Sequence, residues 1–114
     1  MPEDYFQDEI FDRREFTIVP LTKGEYENCT FKNCNFLEND LSDFKFIGCS
    51  FIGCHLSLLK LNNTAFQGIK FIESKMLGLR FDFCSDFNLS FSFNTCLLNH
   101  SSFYRTKIDR KSVV

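Results

Sequence analysis

The chain has 114 residues, with 15 Asp+Glu against 13 Lys+Arg, a formal net charge of −2, 44% hydrophobic and 25% charged residues. Those proportions fit one globular domain and exclude a strongly basic nucleic-acid binder. No apolar run approaches the roughly 20 residues of a membrane-spanning helix, and the opening MPEDYFQDEIF is acidic with no apolar core, which reads as a chain without a signal peptide.

The expected compartment is therefore the cytoplasm, where the six cysteines are thiols rather than a disulfide framework. The chain holds 16 Phe and no Trp, so phenylalanine is used as a repeated part. Residues 1–15 read as an N-terminal acidic arm. Glu3, Asp4, Asp8, Glu9, Asp12 and Glu15 stand against Arg13 and Arg14, a net of −4, which leaves +2 for the remainder. Phe6, Ile10 and Phe11 of this arm are expected to cover an open end of the structure.

From residue 16 to 110 a five-residue period governs the chain. Counting every fifth residue from Phe11 to Phe91, 16 of 17 positions are apolar or aromatic, the exception being Asp86. The frame then slips by two and resumes at Phe93, Leu98, Phe103, Ile108 and Val113. A period of five belongs neither to a helix nor to a flat strand.

All six cysteines (Cys29, Cys34, Cys49, Cys54, Cys84 and Cys96) fall two residues before a position of this five-residue series, apolar in every case but Cys84, which precedes Asp86; Thr64, Ser74, Ser101 and Thr106 share the position. Small side chains there mark a second, tighter inward site. The residue just before each centre is mostly polar and should face water. Gly48, Gly53, Gly68 and Gly78 fall two residues after a centre, where a corner favours positive φ.

Such a unit cannot bury its own apolar side chain, so units must stack on copies of themselves. Four units per square coil place residues 20 apart above one another. This predicts a column Phe11, Phe31, Phe51, Phe71, Phe91, with Cys29 under Cys49 and Cys34 under Cys54, in nearly five coils. The irregular zone, residues 82–92, has two readings. Either a bulge turns Asp86 outward and re-aims Phe83 and Phe87, or Phe83, Asp86 and Phe87 form an exposed recognition patch. Residues 111–114 are a tail.

The units Cys29-Thr30-Phe31, Cys34-Asn35-Phe36, Asn39-Asp40-Leu41, Cys49-Ser50-Phe51 and Ser101-Ser102-Phe103 resemble the pentapeptide-repeat family, whose motif is roughly [ACSTV]-[DN]-[LF]-x-x. The resemblance implies an all-β fold, a right-handed quadrilateral β-helix. The stretch from Phe11 to Phe51 is similar to the opening coils of the quinolone-resistance members. That likeness implies a non-catalytic protein that mimics the DNA duplex and protects DNA gyrase or topoisomerase IV.

A duplex mimic should carry one negative field along its length, whereas here the acidity sits in the arm. Members of that type often carry projecting loops and close on a dimerising C-terminal helix; here the slip is the one irregularity and no amphipathic helix follows Asp109. A general interaction scaffold with another protein partner and a truncated, inert member therefore stand beside the topoisomerase reading. Apolar Ile108, Val113 and Val114 at a coil edge predict a truncated member or end-to-end self-association.

Enzyme chemistry finds no support. His55 is an outward residue and His100 follows Leu98, neither near a cysteine and a third polar group, as nucleophilic catalysis requires. Consecutive cysteines lie on different faces of a coil, which separates them as zinc ligands. No cofactor, metal, membrane or direct nucleic-acid contact is expected.

Overall fold

The computed structural model describes residues 4–99 and 101, with the backbone of 109–113. Among them are β1 (Asp4–Gln7), β2 (Ile10–Asp12), β3 (Gly24–Glu27), β4 (Thr30–Lys32), β5 (Lys45–Ile47), β6 (Ser50–Ile52), β7 (Ala65–Gln67), β8 (Ile69–Ile72), β9 (Phe91–Cys96) and β10 (Asp109–Val113). They form two parallel sheets, β1-β3-β5-β7 and β10-β9-β8-β6-β4-β2. A third side is a ladder of single bridges through Glu15, Asn35, His55, Lys75 and Leu97, and the fourth holds the bridge Asp40–Lys60.

The result is an all-β solenoid of about five coils with four sides, in which residues 20 apart pair from Asp4↔Gly24 to Phe51↔Phe71. Among the described residues no helix is long and apolar enough to cross a membrane.

Each coil turns at residues with positive φ. Asn28 and Asn33 (both 55°) lie beneath Gly48 and Gly53 (both 62°). Asparagine and glycine are the residues that accept this conformation most readily, which is why they recur at the corners.

From Asp4 onward, the segment expected as an arm is built into the stack. β1 and β2 pair with β3 and β4 in the same register as later strands, so these residues form a first coil, from which Phe6 and Phe11 stack on Tyr26 and Phe31 while Ile10 is exposed. The sequence hid this because the centres Phe6 and Phe11 are flanked by charges, and at an end coil such flanking residues need no partner on one side.

The Phe column is present and is corrected at its top. Ring centroids of Phe11–Phe31, Phe31–Phe51 and Phe51–Phe71 lie 4.9, 4.8 and 5.3 Å apart, stacked. Phe93, not Phe91, stacks next on Phe71, at 5.5 Å. β8 and β9 pair as Phe71↔Phe93 and Ile69↔Phe91, a 22-residue step, so the two extra residues lie before Phe91. Phe91 is buried all the same and occupies the smaller inward column, above Cys29, Cys49 and Ile69. Its ring lies edge-on to Phe66 at 6.3 Å and 5.0 Å from Phe81, filling the core where a continued column would have placed residue 86.

Cys29, Cys34, Cys49, Cys54, Cys84 and Cys96 are all buried free thiols. Most repeat one hydrogen bond. Sγ of Cys29, Cys34, Cys49 and Cys54 donates to the carbonyl 23 residues earlier, on Phe6, Phe11, Tyr26 and Phe31 respectively. Thr64 and Ser74 donate their hydroxyls in the same way to Leu41 and Phe51. Past the slip the step becomes 25, from Cys96 to Phe71 and from Ser101 to Met76. Cysteine, serine and threonine interchange at this site because each is a small side chain with one donor hydrogen.

Candidate interaction surface

Coil five begins in register, with the amide of Ser85 donating to Thr64 O at 2.9 Å, and then leaves the stack. It returns at Ser90, whose amide donates to Phe66 O and whose hydroxyl accepts from the Gly68 amide at 2.8 Å. Between these anchors the chain bulges outward through Asp86, Phe87 and Asn88, the last at φ 55°. Asp86 is exposed, so the interior position that strict periodicity assigns to it is vacated. A bare carboxylate inside an aromatic core would cost far more than a local break in the ladder.

Phe87 is 69% exposed, its carbonyl accepting from Gln67 Nε2 at 3.4 Å. Phe83 is 47% exposed at the end of the short 3-10 turn Phe81–Phe83, and its carbonyl accepts from the Asn63 amide at 2.9 Å. The structure thus places Phe83, Asp86 and Phe87 on the surface of coils four and five, at a corner and in the adjoining bulge.

Arg80 is the residue that the sequence did not flag. Its guanidinium lies 4.2 Å from the Phe83 ring centroid and forks onto Asp82, with Nε–Oδ1 3.1 Å and Nη2–Oδ2 2.7 Å. The fork fixes the guanidinium over the ring, within cation–π distance. The arrangement needs residues i, i+2 and i+3 of a turn, which a five-residue frame does not bring together.

The charges divide along the stack. Residues 4–27 hold Asp4, Asp8, Glu9, Asp12, Glu15, Glu25 and Glu27 against Arg13, Arg14 and Lys23, a net of −4. Residues 28–99 hold six acids (Glu38, Asp40, Asp43, Glu73, Asp82, Asp86) and six bases (Lys32, Lys45, Lys60, Lys70, Lys75, Arg80), a net of zero. At the acidic end Tyr5 donates its hydroxyl to Glu27, and that bond pushes the phenol up to about 12. No continuous acidic face runs along the described coils.

Among the described residues no group of three or more His, Cys, Asp or Glu is placed to hold a metal ion. His55 lies half-buried in the third-side ladder, and His100 falls outside the described residues. Burial pushes Cys49 and Cys84 up to about 12 and also raises Cys29 and Cys96. In the stacked pair, Cys54 is pushed up by its hydrogen bond with Cys34 and by burial, so Cys34 ionises first.

The chain is similar to the solved structure of full-length QnrB1, a plasmid-mediated fluoroquinolone resistance protein, with a TM-score of 0.64 and 22% identity over 88% of this chain and 49% of that one. The fold is the pentapeptide-repeat β-solenoid. The chain spans about half the length of QnrB1. A trypsin-treated form of QnrB1 aligns with a TM-score of 0.42 and 21% identity, over 88% of this chain and 58% of that one. No protein-family model matches the chain, and no curated protein matches it.

Proposed function

We propose that this solenoid is a non-catalytic binding protein of the cytoplasm that engages a type II topoisomerase, DNA gyrase or topoisomerase IV, and relieves its inhibition by quinolones. The observation that carries the reading is the fold shared with QnrB1, a fluoroquinolone resistance protein. The contact surface is the Phe83–Asp86–Phe87 region. Two exposed aromatics beside a fixed guanidinium match the composition of protein-binding hot spots.

Docking then proceeds through this patch rather than through mimicry of the duplex, because the charge along residues 28–99 balances to zero. The test is a supercoiling assay of gyrase titrated with the protein, with and without a fluoroquinolone. Recovery of supercoiling in the presence of drug supports the reading. No protection and no inhibition at micromolar protein removes it.

That same charge balance favours a second reading, a scaffold solenoid for a different protein partner. A gyrase-null result together with a specific interaction lost in Phe87→Ala would select it.

A further inference from the structure

β1 and β2 are the outermost strands of their sheets, and among the described residues no strand lies on their other side. The bonds between the later coils identify the groups this leaves bare. The carbonyls of Glu27, Ile47 and Gln67 each accept an amide from the coil below, from Asp8, Asn28 and Gly48, at 3.0, 2.8 and 2.7 Å. Gln7 O holds the same place one coil lower, with no coil beneath it. The amide of Ala65 donates downward to Phe44 O at 2.9 Å, and the Tyr5 amide is its counterpart in coil one. A residue of a parallel strand turns its N–H and its C=O to the same neighbour. Tyr5 and Gln7 therefore present both backbone groups outward, at alternate residues of an extended strand.

Between them Phe6 packs against the core. One face of its ring is stacked on Tyr26, with centroids 4.6 Å apart. The ring also lines a cavity of about 500 Å³ at this end of the solenoid, together with Phe11, Phe16 and Leu21, the other centres of coil one.

Carboxylates bracket β1. Asp4 opens the strand, Asp8 and Glu9 follow it, and among the described residues none of the three has a cation within ion-pair distance. β2 differs, because Arg13 lies 3.6 Å from Asp12 and the Arg14 guanidinium sits 5.7 Å from the Phe11 ring centroid. The uncompensated negative charge is thus at β1.

We propose that the outer edge of β1 is a strand-addition site for an extended segment of a partner protein, an aromatic residue with lysine or arginine two positions to either side. Tyr5 and Gln7 supply the main-chain pairing of β-augmentation. Successive side chains of a strand point to opposite faces. An aromatic side chain beneath Phe6 therefore extends the ring stack, and the residues two positions away bring their cations beside Asp4 and Asp8. This pattern reads the same in both directions, so it fits parallel and antiparallel pairing. A second copy of this end would set Asp4, Asp8 and Glu9 against their own equivalents, and like charges at an edge oppose such self-pairing. The site lies on coil one, apart from the Phe83–Phe87 surface, and does not depend on the topoisomerase reading.

The probe is the capped peptide Thr-Lys-Thr-Phe-Thr-Lys-Thr, titrated into the full chain and followed by amide-resolved NMR. Controls replace both lysines with glutamate, or the phenylalanine with alanine. The proposal predicts shifts centred on the amides of residues 4–9, with slower hydrogen exchange at Tyr5 and Gln7 as their amides gain acceptors. Asp8→Asn places asparagine at a φ of 59°, which it accepts, and should weaken binding about two- to fivefold, as loss of an exposed ion pair does. Gln7→Pro deletes one outward donor on an edge strand, where proline is tolerated, and should weaken binding about two- to tenfold. Unmoved amides of residues 28–99 in both free variants show that the stack is intact.

Four outcomes would overturn the proposal: no shifts at about 1 mM peptide; binding of either control peptide equal to that of the probe; native affinity in both Asp8→Asn and Gln7→Pro; or concentration-dependent shifts of the chain alone at residues 4–9, which would assign the edge to a second copy.

Discussion

Truncating Phe51 to alanine removes the ring at the middle of the aromatic column. Phe51 is 1% exposed, stacked between Phe31 at 4.8 Å and Phe71 at 5.3 Å, with Phe46 and Phe36 edge-on at 5.5 and 5.8 Å. A buried Phe→Ala change costs about 3–5 kcal/mol through lost burial and the cavity left behind. Ring pairs add about 0.5–1.5 kcal/mol each beyond burial, and four are lost together, so the expected cost lies at the upper end, about 5 kcal/mol.

At roughly 0.05–0.15 kcal/mol per residue, a chain of 114 residues has a total stability of the same order. The variant should therefore be close to unfolding. Urea titration followed by far-ultraviolet circular dichroism measures this as a fall in midpoint at unchanged slope. Phe87→Ala is the control, since an exposed ring outside the stack should cost within about 0.5 kcal/mol. A cost below about 1.5 kcal/mol for Phe51→Ala, or equal costs for the two, would refute the column as the source of stability.

Two further outcomes follow from the small inward site. Cys54→Ser keeps a donor for Phe31 O, as Ser74 does for Phe51 O, and should be tolerated better than Cys54→Val by about 1 kcal/mol, the net worth of a hydrogen bond; thermal melts of the pair decide this. Alkaline pH should destabilise the fold. Cys49 and Cys84 are raised from 9.0 to about 12 in the folded chain, so above pH 9 the unfolded state loses these protons first. Stability from each buried neutral thiol is complete below that pH and falls by about 1.4 kcal/mol per unit as pH rises toward 12. Urea midpoints measured from pH 8 to 11 would show the decline, and a flat profile would contradict the burial of the thiols.

The interior of this fold is legible in sequence because one physical requirement is written many times. Phe31, Phe51 and Phe71 repeat at 20-residue steps, and Cys29 and Cys49 repeat beside them, so stacking follows from arithmetic. The slip resists the same arithmetic because Phe91 and Phe93 are both apolar and lie two apart on one strand, so either fits above Phe71. What decides between them is Asp86, whose charge is cheaper to expose than to bury, and that comparison needs the packed neighbours.

The first coil was harder to read for a different reason: its outward residues are charged and resemble a solvated arm until β1 is seen pairing with β3. Of the surface, Phe83, Asp86 and Phe87 could be singled out as departures from the repeat. The clamp of Arg80 on Phe83 could not, because it depends on the turn that the departure creates.

The central functional claim is that a topoisomerase is met by the outward aromatics of the bulge, not by an acidic face. The most direct measurement is the affinity of the chain for DNA gyrase by biolayer interferometry, for the native sequence and for Phe83→Ala with Phe87→Ala, the two proteins having matched melting temperatures. Loss of two hot-spot aromatics at about 2 kcal/mol or more each predicts a complex weaker by at least about thirtyfold, and by about a thousandfold if the two losses add. Equal affinity of the two proteins, or no complex with either, would contradict the account.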